Sequence, residues 1–265
     1  INIGLQITEK RPDGFHNLLS CFYPVGWSDA LEIVPGDAFA FSSTGLPIPG
    51  GPTGGKASRN LCVRAYELLK TDFDLPPVAM HLHKLVPIGA GLGGGSADAA
   101  FTLRLLNDQF ALGLTPPELE QYARQLGSDC AFFVQNRSRY GIEKGDQFED
   151  IALDLTGYHL ALVYPHLAIS TAEAYAGVRP RTPVTPLREL LSAPLREWQH
   201  TVHNDFEDSL FPCYPVLGQL KSQLYDAGAL YASMSGSGST VYGIFEKPAN
   251  LPNQITHYSV WQGCM

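Results

Sequence analysis

Hydrophobic and polar residues alternate along several stretches of the chain, and along others the hydrophobic residues recur every three to four positions. Alternation predicts strands, and the longer spacing predicts amphipathic helices. The predicted strands are INIGLQIT, ALEIVP, AFAFSS, PVAMHLHKLVP and YHLALVYP, and ASMSGSGSTVYGIF closes the set. The predicted helices are NLCVRAYELLK, SADAAFTLRLLNDQF, TPPELEQYARQLG, STAEAYAGV and VLGQLKSQLYDAG. Strands occur both in hairpin order and interleaved with helices, which predicts an α+β fold in two lobes.

Capping and turn residues mark the ends of these elements. Asn60 and Thr115 stand at N-cap positions, and Gly127 stands at the C′ position of its helix. The helix SADAAFTLRLLNDQF, which follows a run of glycines at residues 89–95, is predicted to start at Ser96 or Gly95. This start puts Asp98 in the first turn of the helix. Two segments rich in glycine or proline are predicted to be a mobile loop (44–59) and a connector (179–194).

Composition narrows the classes of partner. The chain has 265 residues, of which 45% are hydrophobic, and no run approaches the ~20 apolar residues of a membrane helix. A formal net charge of −8 argues against a nucleic-acid or anionic-membrane partner. The five cysteines are scattered and lack CxxC spacing, so neither a disulfide framework nor a zinc site is expected. We therefore predict a cytoplasmic protein.

The segment PIGAGLGGGSADAAF, residues 87–101, places five glycines within seven residues between a predicted strand and a predicted helix. A linker lacks such flanking elements. A strand, a glycine run and a helix N-terminus together present unpaired backbone N–H groups to an anion, and glycine lets phosphate oxygens approach the backbone closely. Ser96 adds a hydroxyl for phosphate or for a magnesium-bound water. The pattern predicts a phosphate-binding loop.

Other phosphate-binding patterns fit less well. The segment 89–94 formally satisfies GxGxxG, but a second helix signal follows where a dinucleotide-binding fold requires a strand. The segment 50–57, GGPTGGKA, nearly spells a P-loop, but Ala57 stands where Ser or Thr must reach magnesium. HRD and DFG motifs of protein kinases are absent. His81 and His83 share one strand face without a third partner and are interpreted as surface residues.

The glycine segment resembles the P-x-G-x-G-L-G-G-G-S-[AS] loop of the GHMP kinase superfamily at every position. Four further segments resemble one family within it, the 4-diphosphocytidyl-2-C-methyl-D-erythritol kinases. These segments are NIGLQITEKRPDGFHNL, RNLCVRAYELL, LGSDCAFFV and MSGSGSTVYGIF, and they occur in the family's order from Asn2 to Phe245. The R-x-D-G-[YF]-H part distinguishes this family from other members of the superfamily.

The resemblance implies a two-lobe kinase with the active site in the cleft between the lobes, made of an N-terminal domain (1–155) and a C-terminal domain (156–265). It implies transfer of the ATP γ-phosphoryl group, with Mg²⁺ accompanying ATP, to the 2-hydroxyl of a cytidine diphosphate-linked polyol. No protein ligand is assigned to the metal. The residues expected to bind ATP are Asn60, Lys84, Pro87, Ile88, Gly89, Ala90, Gly91, Leu92, Gly93, Gly94, Gly95, Ser96 and Ala97.

Asp129 is the expected catalytic residue, because the family's catalytic aspartate lies in the L-G-x-D segment. A capping aspartate after Gly127 and Ser128 is the structural alternative. The resemblance implies that His16 reads the edge of the cytosine base while Phe15 and Tyr175 stack on its faces. The substrate-binding set is completed by Asn2, Asp129, Gly236 and Ser237.

The family's catalytic lysine precedes the asparagine matched by Asn2 by two residues, which is ahead of Ile1. We therefore expect the sequence to be trimmed by one or a few residues. Two alternatives stay open at this point. The chain is another GHMP kinase, of the homoserine or mevalonate type, or it is a catalytically silent nucleotide-binding relative.

Overall fold

Every strand and helix predicted from the sequence pattern corresponds to an element of the computed structural model, which describes residues 1–48 and 60–265. The strands are β1 (Asn2–Lys10), β2 (His16–Phe22), β3 (Ala30–Pro35), β4 (Ala40–Gly45), β5 (Val78–Lys84), β6 (Arg139–Ile142), β7 (Gln147–Asp150), β8 (His159–Tyr164), β9 (Tyr231–Met234), β10 (Val241–Phe245) and β11 (Ser259–Cys264). The helices are α1 (Leu61–Asp72), α2 (Gly94–Gln109), α3 (Pro116–Leu126), α4 (Cys130–Gln135), α5 (Thr171–Ala176), α6 (Leu187–Leu190), α7 (Trp198–Thr201), α8 (Glu207–Cys213) and α9 (Pro215–Asp226).

The chain divides into two compact units, each built from more than one stretch of sequence. Unit 1 comprises residues 1–26, 89–92 and 138–265, and unit 2 comprises residues 27–88 and 93–137. The glycine segment therefore contributes Gly89–Leu92 to unit 1 and its other residues to unit 2. The division of the chain at residue 155 stays a prediction.

Unit 1 contains two four-stranded sheets, in the orders β1-β2-β6-β7 and β11-β8-β10-β9. All pairings within them are antiparallel. Helices α8 and α9 pack on the second sheet around a core that also takes side chains from β1, such as Leu5 and Ile7. The alternating pattern of β1 thus has a direct cause, because one face of the strand lies in this core.

Unit 2 contains a three-stranded sheet, β3-β5-β4, in which β5 pairs antiparallel with β3 and parallel with β4. The alternation in β5 places Val78, Met80 and Leu82 in the core. Helices α1 to α4 pack on one another and bury further apolar residues of this unit, among them Leu69, Leu103 and Phe132. Unit 2 carries the second half of the glycine segment at the start of α2.

The predicted caps hold at two helices and differ at a third. Asn60 Oδ1 accepts from Cys62 N at 2.8 Å, and Thr115 forms a capping box with Glu118. Gly127 is the C-cap of α3 rather than the C′ residue, with extended backbone. The predicted start of α2 is wrong by one or two residues: the helix begins at Gly94, because Gly93 is its N-cap, and Asp98 lies past the first turn.

Two loop predictions have different outcomes. The connector 179–194 contains the short helix α6, whose first N–H, that of Leu187, donates to Gln6 Oε1 at 3.0 Å. The glycine-rich loop and the near-P-loop at 50–57 lie largely outside the described residues, which omit 49–59. Among the helices of the described ranges, none is long and apolar enough to cross a membrane.

Candidate active site

The residues singled out from the sequence fall in both units. Unit 1 holds Asn2, Phe15, His16, Gly89, Ala90, Gly91, Leu92, Tyr175, Gly236 and Ser237. Unit 2 holds Asn60, Lys84, Pro87, Ile88, Gly93, Gly94, Gly95, Ser96, Ala97 and Asp129.

The N-terminus of α2 is open to an anion. Its N-cap residue, Gly93, has a φ of +67° and makes no side-chain capping bond. The first intrahelical bond in this turn runs from Ala97 N to Gly93 O at 2.9 Å. The N–H groups of Gly94, Gly95 and Ser96 therefore have no intrahelical acceptor, as at any helix start. Those N–H groups and the positive end of the helix dipole favour a phosphate oxygen here.

Helix α4 places Asp129 at the same end of the packed helices. A Cβ at Gly93 would lie 3.0 Å from the ring of Phe133 in α4, so the two helices approach closely. The hydroxyl of Ser96 hydrogen-bonds the sulfur of Cys130, which is the residue after Asp129. Burial raises the pKa of the Cys130 thiol to about 11. Asp129 is therefore the neighbour in sequence of a residue that contacts the first turn of α2.

Asp129 itself is the N-cap residue of α4 and is exposed. Its Oδ1 accepts from the hydroxyl of Ser128 at 3.2 Å. Protein packed around the carboxyl raises its pKa by desolvation, and the Ser128 hydrogen bond opposes that shift. An accessible carboxylate with a raised pKa is a better proton acceptor than an ordinary aspartate.

A buried charged cluster lies under the first turn of α2. Lys84 Nζ is 2.5 Å from Asp29 Oδ2 and 2.7 Å from Asp98 Oδ2, and the lysine is only 2% exposed. Asp29 Oδ1 also accepts from Leu85 N and Val86 N at 2.6 and 2.8 Å. Lys84, predicted from the sequence to bind ATP, therefore contacts two carboxylates in this structure.

The titration of this cluster follows from its composition. Burial raises the pKa of Asp98 to about 7; the Lys84 ammonium opposes the shift and the Asp29 carboxylate adds to it. Two buried carboxylates share one cation, so the ionised cluster carries a net charge of −1 and binds a further proton readily. The pKa of Lys84 is raised as well: burial lowers it, and the two carboxylates together outweigh burial.

In unit 1, the first half of the glycine segment lies against the loop between β9 and β10. Thr240 N donates to Ala90 O at 3.0 Å, and Ser235 Oγ donates to Gly91 O at 2.8 Å. Gly91 has a φ of +75°, and a Cβ there would lie 2.4 Å from Ser235 O and 2.7 Å from Gly238 O. Only glycine permits this approach of two backbones.

Asn2 is fixed by three neighbours in the same unit. Its Nδ2 donates to Ser20 Oγ at 2.9 Å, and that hydroxyl donates to Gly4 O at 2.7 Å. Its carbonyl accepts from the Tyr242 hydroxyl at 2.9 Å. Its Oδ1 lies against Gly236, where an added Cβ would be 3.2 Å away. Asn2 and Gly236, both predicted to bind substrate, are therefore adjacent.

The turn between β1 and β2 ends at Phe15, and His16 is the first residue of β2. Arg11 donates through Nη1 to Glu143 Oε2 at 2.6 Å, and Asp13 Oδ1 accepts from Phe15 N at 3.1 Å. Arg11 N donates to Phe15 O at 2.8 Å. Phe15 is 60% exposed, with the ammonium of Lys144 5.1 Å from its ring centroid. The polar residues of the R-x-D-G-F-H segment thus shape the turn that presents the aromatic ones.

His16 and Tyr175 were both predicted to contact the cytosine base. In this structure their side chains contact each other directly. Their rings stack with centroids 4.7 Å apart and planes inclined by 20°. Tyr175 also meets Phe206 edge-on at 4.9 Å. The pKa of His16 is lowered mainly by burial and to a smaller extent by the charge of Lys10. A neutral imidazole offers one hydrogen-bond donor and one acceptor at neutral pH.

Sequence reasoning missed three polar residues that support these segments. Asp29 holds the turn after β5, and Asn204 and Glu207 hold the end of β9. Each acts on a segment that is distant in sequence, so no local pattern marks it. The side chains of His203, Asp205 and Asp208 have a spacing that could hold a metal, but Asp208 is exposed, and Arg181 lies 3.2 Å from Asp205 and 3.7 Å from Asp208.

Comparison with known proteins identifies the family. Residues 60–137 match the family described as GHMP kinases N terminal domain, and residues 187–257 match GHMP kinases C terminal. A protein of Parabacteroides distasonis named 4-diphosphocytidyl-2-C-methyl-D-erythritol kinase is 47% identical, over 99% of this chain and 96% of its own. The chain belongs to the 4-diphosphocytidyl-2-C-methyl-D-erythritol kinase family of the GHMP kinases.

Solved structures agree with membership of this kinase family. A crystal structure of 4-(cytidine 5'-diphospho)-2C-methyl-D-erythritol kinase superposes with a TM-score of 0.80 at 28% identity, covering 99% of this chain and 95% of that one. A homoserine kinase from Cytophaga hutchinsonii gives 0.63 at 13% identity, covering 100% and 93%, a likeness of fold alone. The predicted α+β GHMP kinase fold is confirmed, and the homoserine and mevalonate alternatives are less well supported. The kinase family implies use of ATP.

The buried cluster under α2 makes a prediction about stability and pH. Because the folded-state pKa of Asp98 lies above the ordinary value, the folded state binds a proton that the unfolded state releases near pH 4. The free energy of unfolding should therefore fall as the pH rises from about 4 through 7. Asp98→Asn should flatten that slope.

Chemical denaturation of both proteins at several pH values between 5 and 8 measures the effect. Asp72→Asn serves as the control, because Asp72 is exposed and contacts the Tyr122 hydroxyl instead. A slope in Asp98→Asn equal to that of the unaltered chain would assign the pH dependence to other groups.

Proposed function

We propose that this protein transfers the γ-phosphoryl group of ATP to the 2-hydroxyl of 4-diphosphocytidyl-2-C-methyl-D-erythritol. The observation that carries the chemistry is the open, glycine-lined start of α2, with Asp129 next to the residue whose sulfur bonds Ser96 in the first turn. The substrate is inferred from the name of the 47% identical relative and from the R-x-D-G-F-H turn. Phosphoryl transfer needs positioned phosphates, charge neutralisation and an acceptor for the hydroxyl proton.

The glycine segment suits ATP because its backbone is accessible where phosphate oxygens must approach. A Cβ added at Gly89 would meet no atom within 4 Å, and one at Gly95 would meet only Leu61 at 3.9 Å. The N–H groups of the first turn of α2 bind phosphate oxygens in this proposal, and the Ser96 hydroxyl adds a further contact. Mg²⁺ bound with ATP supplies further neutralisation of the phosphate charge.

Lys84 and Asn60 have supporting roles in this proposal. A Cβ at Gly94 would lie 3.1 Å from Lys84 Nζ, so the ammonium adds positive charge directly under the phosphate loop. The carboxylates of Asp29 and Asp98 at least offset that charge, which makes the helix N-terminus the main attraction for phosphate. Asn60 uses Oδ1 to cap α1, and its NH₂ group is the part that meets the nucleotide.

Asp129 accepts the proton of the substrate hydroxyl as the new oxygen–phosphorus bond forms. The bond between the γ-phosphorus and the β,γ-bridging oxygen breaks, and ADP leaves with the bonding electrons. The hydrogen bond from Ser128 to Oδ1 orients the Asp129 carboxyl. The raised pKa of that carboxyl makes the carboxylate a stronger base.

His16 recognises the cytosine in this proposal. A neutral imidazole matches the alternating donors and acceptors on the edge of the base, and the lowered pKa favours the neutral form. Phe15, exposed at the end of the turn, stacks on one face of the base, and Tyr175 on the other. In this structure Tyr175 stacks on the His16 ring, so the two rings must separate when the base enters. Asn2, Gly236 and Ser237 contact the remainder of the substrate.

The glycine segment is tested by adding bulk at Gly95, which is not strained and has open space around it. Gly95→Ala should weaken ATP binding measurably, and Gly95→Val by at least about tenfold, a loss of about 1.4 kcal/mol. Calorimetry with ATP measures Kd, and thermal unfolding reports the fold. Gly218→Ala is the matched control, because that helical glycine lies in α9. Unchanged ATP affinity in Gly95→Val would make the loop structural.

Asp129→Asn tests the proton acceptor. The amide keeps the shape of the side chain and can still accept from Ser128, so Tm and ATP affinity should change little. Turnover should fall about 10²- to 10⁴-fold, as loss of a positioned base typically does. Asp72→Asn should leave kcat unchanged. A kcat for Asp129→Asn near that of the unaltered enzyme would remove Asp129 from the mechanism.

His16→Phe separates base recognition from ring stacking. The phenyl ring can still stack on Tyr175, but it has no polar atom to pair with the base. An unpaired buried polar group costs about 1–3 kcal/mol, so KM for the cytidine substrate should rise by about tenfold or more. Steady-state kinetics and Tm on one preparation decide the matter. If KM is unaltered, His16 acts only as a stacking partner of Tyr175.

A further inference from the structure

Asn204 lies in the segment between α7 and α8, and its backbone is anchored to β1. Leu5 N donates to His203 O at 2.8 Å, and Asp205 N donates to Leu5 O at 2.9 Å. Asn204 is 1% exposed, so its side chain faces the interior of unit 1. A buried primary amide is stable only if its donors and its acceptor are paired.

The side chain of Asn204 meets that requirement with three backbone groups. Its Nδ2 donates to Met234 O at 2.8 Å and to Gly236 O at 2.9 Å. Its Oδ1 accepts from Phe206 N at 3.0 Å. The arrangement needs two donors and one acceptor from one short side chain, which an amide supplies and a carboxylate does not.

The two carbonyls held by Asn204 flank Ser235, and Ser235 reaches the glycine segment. Its hydroxyl donates to Gly91 O at 2.8 Å. Its N–H donates to Thr240 O at 2.8 Å, and Thr240 N donates to Ala90 O at 3.0 Å. A displacement of Ser235 would therefore be passed to the backbone at residues 90 and 91.

Glu207 supports the same region but acts on a different part of it. Its Oε1 accepts from Met234 N and from Ser233 Oγ, both at 2.8 Å, and its Oε2 is 2.5 Å from Lys221 Nζ. These contacts hold the end of β9, before Ser235. Asn204 also holds Gly236, after Ser235, so it fixes the turn on both sides.

We propose that Asn204 is a positioning residue for ATP binding: its amide sets the β9–β10 loop, and through Ser235 that loop sets Gly91 in the phosphate-binding segment. The inference rests on the proposed function, because it assigns the Gly89–Leu92 backbone to the phosphates. It adds a residue more than a hundred positions from the glycine segment in sequence, whose side chain touches neither ATP nor the polyol substrate.

The test is a double-mutant cycle read out by ATP binding. Asn204→Ala and Ser235→Ala are made singly and together, and Kd for ATP is measured by calorimetry with Tm on the same preparations. Each single variant should raise Kd by about tenfold. Because both act through one chain of contacts, the double variant should raise it little further. If the double variant raises Kd for ATP by the product of the two single-variant effects, the inference is overturned.

Asn107→Ala is the matched control. Asn107 also holds backbone through its amide, with both bonds made to Leu114 at the far end of α2. It should lower Tm and leave Kd unchanged. If Asn204→Ala lowers Tm but leaves Kd for ATP unchanged, the role of Asn204 is structural. The inference then fails while the proposed function still stands. If the unaltered chain does not bind ATP, the proposed function fails and the inference fails with it. Should Asn204→Ala not fold, Ser235→Ala with unchanged Kd would still overturn the inference.

Discussion

The contact between two glycine-containing backbones in unit 1 is the constraint on which the candidate site depends. Gly91 approaches the carbonyls of Ser235 and Gly238 so closely that a Cβ would lie within 2.4 Å of the first. Main-chain and hydroxyl hydrogen bonds join the same two segments. A contact of this kind leaves no room for a side chain between the two backbones. The conformation of the glycine segment is therefore set jointly with that of the β9–β10 loop.

Electrostatics adds a second constraint, in unit 2. The chain has a formal net charge of −8, so attraction for phosphate must be local. Lys84 supplies a cation under the start of α2, but two carboxylates contact its ammonium. Backbone N–H groups at the start of α2 consequently provide most of the positive potential. This division lets the lysine fix the position of the helix, because a buried and fully paired ammonium cannot move toward a ligand without leaving two charges unpaired.

The features that short stretches of sequence determine could be predicted from the sequence alone. Alternation located the strands, Asn60 and Thr115 located two helix starts, and the glycine run located the segment that is proposed to bind phosphate. The start of α2 was misjudged, because serine is normally a better N-cap than glycine. Here the left-handed conformation and the approach of Phe133 require glycine at position 93, and both are known only once α4 is placed.

Long-range partners could not be predicted, and Asn204 shows why. An asparagine among polar residues before a helix has many ordinary explanations, such as an N-cap or a turn. Its two carbonyl partners lie 30 and 32 positions away. Asp29 is similar, since its ammonium partner lies 55 positions away. Each of these residues is defined by tertiary packing, which periodicity and spacing do not encode.

The turn between β1 and β2 explains why one short segment distinguishes this family within its superfamily. Arg11 and Asp13 bond within the turn and to Glu143, so they shape it. Phe15 closes the turn opposite Arg11, and His16 starts β2. The segment thus combines a rigid turn with two ring side chains, while the phosphate loop is built elsewhere in the sequence. Replacing this turn can therefore change which rings are presented without altering the glycine segment or the start of α2, which other parts of the chain build.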